Sequence, residues 1–393
     1  VLTPADLRAQ AREFLASHDP ASTERLAFLR ARFDAGLSWV HYPAGLGGQG
    51  LSRALQAAVD EEFAAADAPT NDPDRNGIGL GMAAPTILAC GSPEQQQRWL
   101  RPLWTGEEIW CQLFSEPGAG SDLAGLATRA ERDGDGWLVT GQKVWTSSAH
   151  LARRALLLAR TDPDVEKHQG LTYFGLDMTA PGVDVRPLRQ LTGEAEFNEV
   201  FLAQVRVPDT DRIGAVGDGW QVATTTLMSE RVAIGGGAMP REGGMIASVA
   251  ATWRQRPELR TPGLHDRIVR LWADAEVARL AGVRLRQQLA AGQPGPEGSA
   301  NKLVFARVNQ ETSALEVDLA GPDGLRYDDW TLRRPDGTNF YGRGPGYRFL
   351  RAKGNSIEGG TSEILRNIIA ERVLGLPREP RSDAGLPWKD LPR

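Results

Sequence analysis

Two glycine- and hydroxyl-rich stretches and one helical carboxylate are the parts of this sequence whose residue types could do chemistry. The first stretch is Cys111 to Asp122, CQLFSEPGAGSD. A short apolar run ends at Ser115 and Glu116, and Pro117 stops strand pairing because it has no N–H to donate. Gly118 and Gly120 let backbone N–H groups turn toward a ligand and let a flat or charged group come close. Ser121 adds a hydroxyl beside them. The run is not a dinucleotide fingerprint, since Leu123 stands where GxGxxG needs glycine and no Gly-Lys-Ser/Thr follows. A Pro-Gly surface turn is the competing reading. The second stretch, Gly141 to His150 (GQKVWTSSAH), sets Trp145 among Thr146, Ser147 and Ser148. A planar aromatic ligand needs that combination, apolar stacking plus a few polar contacts.

The carboxylate is Glu230. Trp220 to about Gly235 reads as a helix with an apolar stripe through Trp220, Ala223, Leu227 and Ile234. Position 230 belongs to that stripe and is Glu. A carboxylate on an apolar face is either paired or deliberately desolvated, and a desolvated one can serve as a base. Arg231 follows at once but points about a hundred degrees round the helix. The helix alone leaves a structural pairing with a distant Arg and a catalytic role equally open.

Positioning these groups takes three kinds of element in turn. Residues 1–110 read as a helical domain, with Leu7, Ala11, Phe14 and Leu15 at helical spacing and a Gly-rich loop over Trp39–Leu51. Ser22 precedes a second helical pattern, and Ser92 and Pro93 form a helix start. Gly77, Gly79 and Gly81 cost helix stability, which points either to a close approach of substrate or to tight helix packing. Residues 111–216 change to short runs divided by Gly, Pro and Asp, an antiparallel β domain with a hairpin at Asp133–Gly136. Residues 217–393 return to helices: one to Gly235, one over about 264–291, one over 299–320, and a last one opened by Thr361 as N-cap with Glu363 at its positive end. A linker is expected at 292–298 and irregular chain at 321–356. The fold class is therefore α+β and multidomain: N-terminal helical domain, central antiparallel β-domain, C-terminal helical bundle and tail.

Composition excludes several classes. The net charge of −5 gives no basic patch for nucleic acid or an anionic membrane. No run reaches the ~18 apolar residues of a membrane helix. Two cysteines, Cys90 and Cys111, suit a reducing cytoplasmic setting and exclude a disulfide scaffold. The histidines at 18, 41, 150, 168 and 265 form no metal-ligand spacing, so no metal is expected. The basic residues are mostly Arg with only five Lys, which reads as a GC-rich gene rather than chemistry.

Ser115-Glu116-Pro117-Gly118-Ala119-Gly120-Ser121-Asp122 and Gly141-Gln142-Lys143-Val144-Trp145-Thr146-Ser147 together resemble the flavin-binding β-domain of the acyl-CoA dehydrogenase family. The resemblance implies removal of the α-proton of an acyl-CoA thioester while the β-hydrogen leaves as hydride to FAD. It implies flavin contacts from Gln112, Phe114, Ser115, Gly120, Ser121, Trp145, Ser147, Thr361 and Glu363, and contacts to substrate from Ser121 and Arg231. Many members place the base directly before the Gly-Thr that opens the last helix, and that position is Gly359 here. Others carry it in a Leu-x-x-Glu-Arg segment, here Leu227-Met228-Ser229-Glu230-Arg231, which selects the residue already marked by periodicity. Glu358 is the competing candidate, and the Gly359 N–H is the implied donor to the thioester oxygen.

Two departures concern partners. Homotetrameric members carry Arg-x-x-Phe-Gly and Gln-x-x-Gly-Gly segments that reach a neighbour's FAD. Here those regions read Trp253-Arg254-Gln255-Arg256-Pro257 and Asp318-Leu319-Ala320-Gly321-Pro322. The expectation is an unlike acyl-CoA dehydrogenase subunit as neighbour (an α2β2 heterotetramer), otherwise a homo-oligomer. Electrons would go to an electron-transfer flavoprotein. The C-terminal IEGGTSEILRNIIAERVLG looks like actinobacterial members that shorten sterol side chains. The rival expectation is a non-catalytic partner subunit that completes another chain's FAD site.

Overall fold

The computed structural model describes residues 2–235, 240–290, 298–327, 329–337 and 342–391, with the side chains of 231–235 and 289–290 left aside. It falls into two compact units. One comprises Val1–Arg186, Asn198–Thr226 and Gly385–Arg393, the other Pro187–Phe197 and Leu227–Ala384.

The first unit begins with α1 (Pro4–Ser17), α2 (Arg25–Asp34) and α3 (Gln56–Ala65). Leu7, Ala11, Phe14, Phe28, Val59 and Phe63 form their shared core. The N-cap of α2 is Glu24, whose side chain accepts from the Ala27 N–H, so Ser22 precedes the helix without capping it. A π-helical turn, Gly79–Ala83, leads into α4 (Ala84–Cys90). A Cβ on Gly79 would lie 2.2 Å from Asn76 Oδ1, and Asn76 in turn bonds Leu103 O and the Trp110 N–H. At Gly79, then, the glycine serves close packing within the chain. Ser92 and Gln95 form a capping box at the start of α5 (Pro93–Thr105).

The sheet of this unit contains β1 (Trp110–Leu113), β2 (Arg129–Asp133), β3 (Gly136–Ser147), β4 (Arg154–Arg160), β5 (Leu171–Asp177), β6 (Val183–Pro187), β7 (Phe197–Pro208) and β8 (Arg212–Ile213). Its order is β6-β7-β3-β2-β4-β5-β8, with β1 pairing parallel to β4. β2 and β3 form the hairpin expected at Asp133–Gly136, with Gly134 at φ +56. β4 is buried along its whole length and lies against β1, β2 and β5. Trp137, Val139, Leu157, Phe174, Val200 and Val205 pack into the core beneath.

Helix α6 (Gly219–Gly235) carries the boundary between the units within it. In its first half Val222, Ala223 and Thr226 are buried. The second unit continues with α7 (Met245–Gln255), α8 (Pro262–Ala290), α9 (Gly298–Ala320), α10 (Pro345–Ala352) and α11 (Ser362–Arg372). Ile246, Val249, Ile268, Leu271, Leu315 and Leu319 form the core of α7, α8 and α9. α10 lies in chain expected to be irregular. Its buried face carries Arg348, bound twice to Glu316 at 2.8 and 2.9 Å, and a charge there breaks the apolar pattern that sequence reading relies on. The expected linker at 292–298 lies outside the described residues except for Gly298. Among the described residues no helix is long and apolar enough to cross a membrane.

Candidate cofactor and substrate sites

In the first unit the two motif stretches lie side by side. The Val144 N–H donates to Ser115 O at 2.9 Å, which ties β3 to the chain leaving β1. Glu116 and Ala119 exchange two backbone hydrogen bonds around Pro117-Gly118, a tight turn with Pro in its favoured second place. Lys143, fully buried, aims its ammonium into this corner. Its Nζ donates to Glu116 Oε1 at 2.8 Å, Phe114 O at 3.0 Å and Leu158 O at 2.9 Å. Glu116 also accepts from the Ala127 and Thr128 N–H groups at 2.7 and 2.9 Å. Burial works against the charge of Glu116, but Lys143 and the hydrogen bonds from Lys143, Thr128 and Ala127 outweigh it and hold the carboxyl below its ordinary pKa. Burial lowers the pKa of Lys143, and the Glu116 carboxylate opposes that shift. Glu116 and Lys143, one from each motif, are thus a structural clamp that ties the two stretches together.

The groups left facing outward are those expected to meet a flavin. Trp145 is 58% exposed and sits at φ +60 near the C-terminal end of β3. A bulky residue in left-handed backbone is a genuine outlier, and such strain persists where the surrounding structure enforces it. Ser148 repeats the conformation at φ +53. Gln112, Ser115 and Ser147 are half-buried, and Gly120 and Ser121 are exposed. A Cβ on Gly118 or Gly120 would meet nothing within 4 Å, so backbone is open to a ligand there. Thr146 Oγ1 is buried without a hydrogen-bond partner. These features fit a flat ring laid against Trp145 with serine hydroxyls beside it. Phe114, by contrast, is buried in an edge-to-face contact with Tyr173 at 5.8 Å.

In the second unit, Glu230 is half-buried on α6. The side chain of Arg231 lies outside the described residues. Glu358 is engaged: Arg351 approaches its carboxylate at 3.0 and 3.2 Å, and Asn355 Nδ2 donates to it at 2.6 Å. Both oxygens of this carboxylate are thus committed to Arg351 and Asn355 rather than left open to a substrate. Gly359 and Gly360 follow at φ +62 and +92, so this turn needs glycine twice. Thr361 then caps α11, its Oγ1 accepting from the Ile364 N–H at 3.2 Å, and Glu363 stands exposed in the first turn.

Sequence reasoning missed Lys302. It is 1% exposed on α9 and donates to Asn355 O at 2.7 Å and Gly360 O at 2.8 Å. Burial lowers its pKa, while Glu358 and Glu230 act in the opposite direction. Ser299, Lys302, Ala306, Asn309, Ser313 and Glu316 recur at helical spacing and are all buried. A lysine in such a stripe, in a chain with few lysines, was the available signal. Of the five lysines, Lys143 and Lys302 are both buried clamps on carbonyl oxygens. A tetrahedral ammonium suits that task better than a planar guanidinium.

Comparison with known proteins agrees with this architecture. Models of the acyl-CoA dehydrogenase N-terminal, middle and C-terminal domains match residues 5–107, 111–205 and 217–374. The chain belongs to the acyl-CoA dehydrogenase family, whose cofactor is FAD. It is 44% identical to Mycobacterium tuberculosis acyl-CoA dehydrogenase FadE34 over 88% of this chain, and spans 45% of that relative's length. It is 40% identical to acyl-CoA dehydrogenase IpdE1 of the same organism, over 92% of this chain and 90% of the relative. Similar solved structures include the Tcur3481-Tcur3483 steroid ACAD (26% identity, TM-score 0.73, covering 96% and 98% of the two chains). The ChsE4-ChsE5 complex from Mycobacterium tuberculosis is also similar (27%, TM-score 0.69, 96% and 99%).

Proposed function

We propose that this chain is a catalytic subunit of an FAD-dependent acyl-CoA dehydrogenase, with Glu230 as the base. The observation that carries the reading is the exposed, strained Trp145 beside Ser115, Ser147 and the open Gly120 backbone. FAD bound against that face supplies a hydride acceptor. The Glu230 carboxylate takes the α-proton of the thioester, the Gly359 N–H donates to its oxygen as negative charge develops, and the β-hydrogen leaves as hydride, giving the 2-enoyl-CoA. Thr361 and Glu363 sit at the positive end of α11, next to that donor. Glu358 is set aside as base because Arg351 and Asn355 hold it. Ser121 and Arg231 serve the substrate. An electron-transfer flavoprotein reoxidises the enzyme, which is cytoplasmic.

The substrate class is a branched or sterol side-chain acyl-CoA, supported by the likeness to the steroid ACAD at 26% identity. The neighbour is an unlike subunit. Arg254 is bound to Glu242 at 2.6 Å and Asp318 to Arg267 at 2.6 Å, so both altered motif regions are used inside their own unit. Val269, Val277 and Leu280 share one exposed face of α8, as expected of a surface that a partner covers. The same altered motifs favour a second reading, in which the chain only completes a partner's FAD site.

The test is anaerobic. The purified chain, alone and with its candidate partner, is mixed with short, branched and sterol-side-chain acyl-CoAs while flavin absorbance is followed. Bleaching that is lost in Glu230→Gln, with the flavin retained, supports the catalytic reading. Bleaching that survives in Glu230→Gln overturns Glu230 as base, and a chain that never holds flavin supports the second reading.

A further inference from the structure

We infer that Lys302 is a positioning residue of the dehydrogenation site, fixing the Asn355–Gly360 turn that presents the Gly359 N–H. The inference rests on the proposed function and deepens it. A backbone donor has no side chain of its own to hold it, and Gly359 and Gly360 are the residues with least intrinsic stiffness. Rigidity must come from outside the turn, and α9 supplies it. Lys302 grips the carbonyls at the turn's two ends, Asn355 O at 2.7 Å and Gly360 O at 2.8 Å. Two turns further along α9, Asn309 Nδ2 donates to Asn355 Oδ1 at 3.3 Å. Gln310 Nε2 donates to Ala352 O and to Ser356 Oγ, each at 3.1 Å. Only Lys302 among these three touches the glycine side of the turn.

The charge matters as well as the reach. Lys302 is 1% exposed, and an isolated ammonium in such a place would tend to shed its proton. Glu358 and Glu230 both favour its charged form. Glu358 is shared with Arg351, which also approaches Glu196 at 3.3 Å. The cation therefore stands among the carboxylates of the site, with its protons committed to the carbonyls that set the angle of the donor. A donor held a fraction of an ångström out of line loses most of its effect on the developing oxyanion, whereas ground-state binding changes little.

The experiment compares Lys302→Met, Lys302→Gln and Gln310→Ala with the wild type, each with FAD bound and with its partner subunit if one is needed. The expected result for Lys302→Met is flavin reduction slowed about 10²-fold with the acyl-CoA dissociation constant changed less than about threefold. Lys302→Gln, which keeps two donors, should recover part of the rate. Gln310→Ala removes an uncharged clamp of the same segment and should lower the melting temperature without that rate loss. Wild-type reduction rates in Lys302→Met would overturn the inference while leaving the dehydrogenase reading intact. So would loss of folding or flavin in both Lys302 variants, which makes the residue merely structural. If the wild type itself is never reduced by any acyl-CoA, the functional reading fails first.

Discussion

Lys143 Nζ stands 2.8 Å from Glu116 Oε1, and its other two protons go to the carbonyls of Phe114 and Leu158. One residue from each motif thus meets its counterpart inside the β-domain. Removing one member leaves the other charge buried and uncompensated. Glu116→Gln should cost about 3–5 kcal/mol, read as a fall in melting temperature together with loss of flavin.

The same pair sets an acid limit. The Glu116 carboxyl is held below its ordinary pKa, so its stabilising effect is fully present above the unfolded-state value and fades as pH falls through the folded one. The difference in melting temperature between wild type and Glu116→Gln should therefore close between about pH 5 and about pH 2. A constant difference across that range would contradict the ion pair.

Trp145 invites a stability–function comparison. Left-handed backbone costs a non-glycine residue roughly 1–2 kcal/mol. Trp145→Gly should leave the cofactor-free protein at least as stable and weaken FAD retention about tenfold, since a stacked aromatic contributes about 0.5–1.5 kcal/mol. Undiminished FAD affinity would remove Trp145 from the site.

Glu358→Gln separates the two candidate bases. Losing a charged hydrogen-bond partner of Arg351 should destabilise the second unit by about 1.5–3 kcal/mol. Flavin reduction in that variant should stay within about threefold of wild type, in contrast to the loss of about 10²-fold or more expected for Glu230→Gln.

How far the sequence could be read depended on where charge was placed. The helix start at Ser92 and Pro93, the Asp133–Gly136 hairpin and the Thr361 cap were legible because their signals are local. The sequence predicts a surface for a flat ligand at the motif glycines and Trp145, and the structure leaves Gly118, Gly120 and Trp145 exposed. The left-handed turn at Trp145 was not, because nothing in a Trp codon signals positive φ. Lys143, Lys302 and Arg348 were opaque for a common reason. Periodicity counts a charged side chain as solvent-facing, and each of these is buried with partners far along the chain. Residues 187–197 were also opaque. They follow β6 of the first unit yet bond within the second, where Tyr347 Oη donates to Glu194 Oε2 at 2.9 Å and Arg343 also binds that carboxylate.

The C-terminal segment closes back on the first unit. Trp388 Nε1 donates to Gly125 O at 3.1 Å, and the Arg160 guanidinium lies 4.3 Å from the Trp388 ring centre while donating to Leu126 O and Ala124 O. The fastening of the Leu123–Gly125 turn is therefore divided in chain order: Arg160 is made with the β-domain, whereas Trp388 reaches Gly125 O only after the whole second unit has been synthesised.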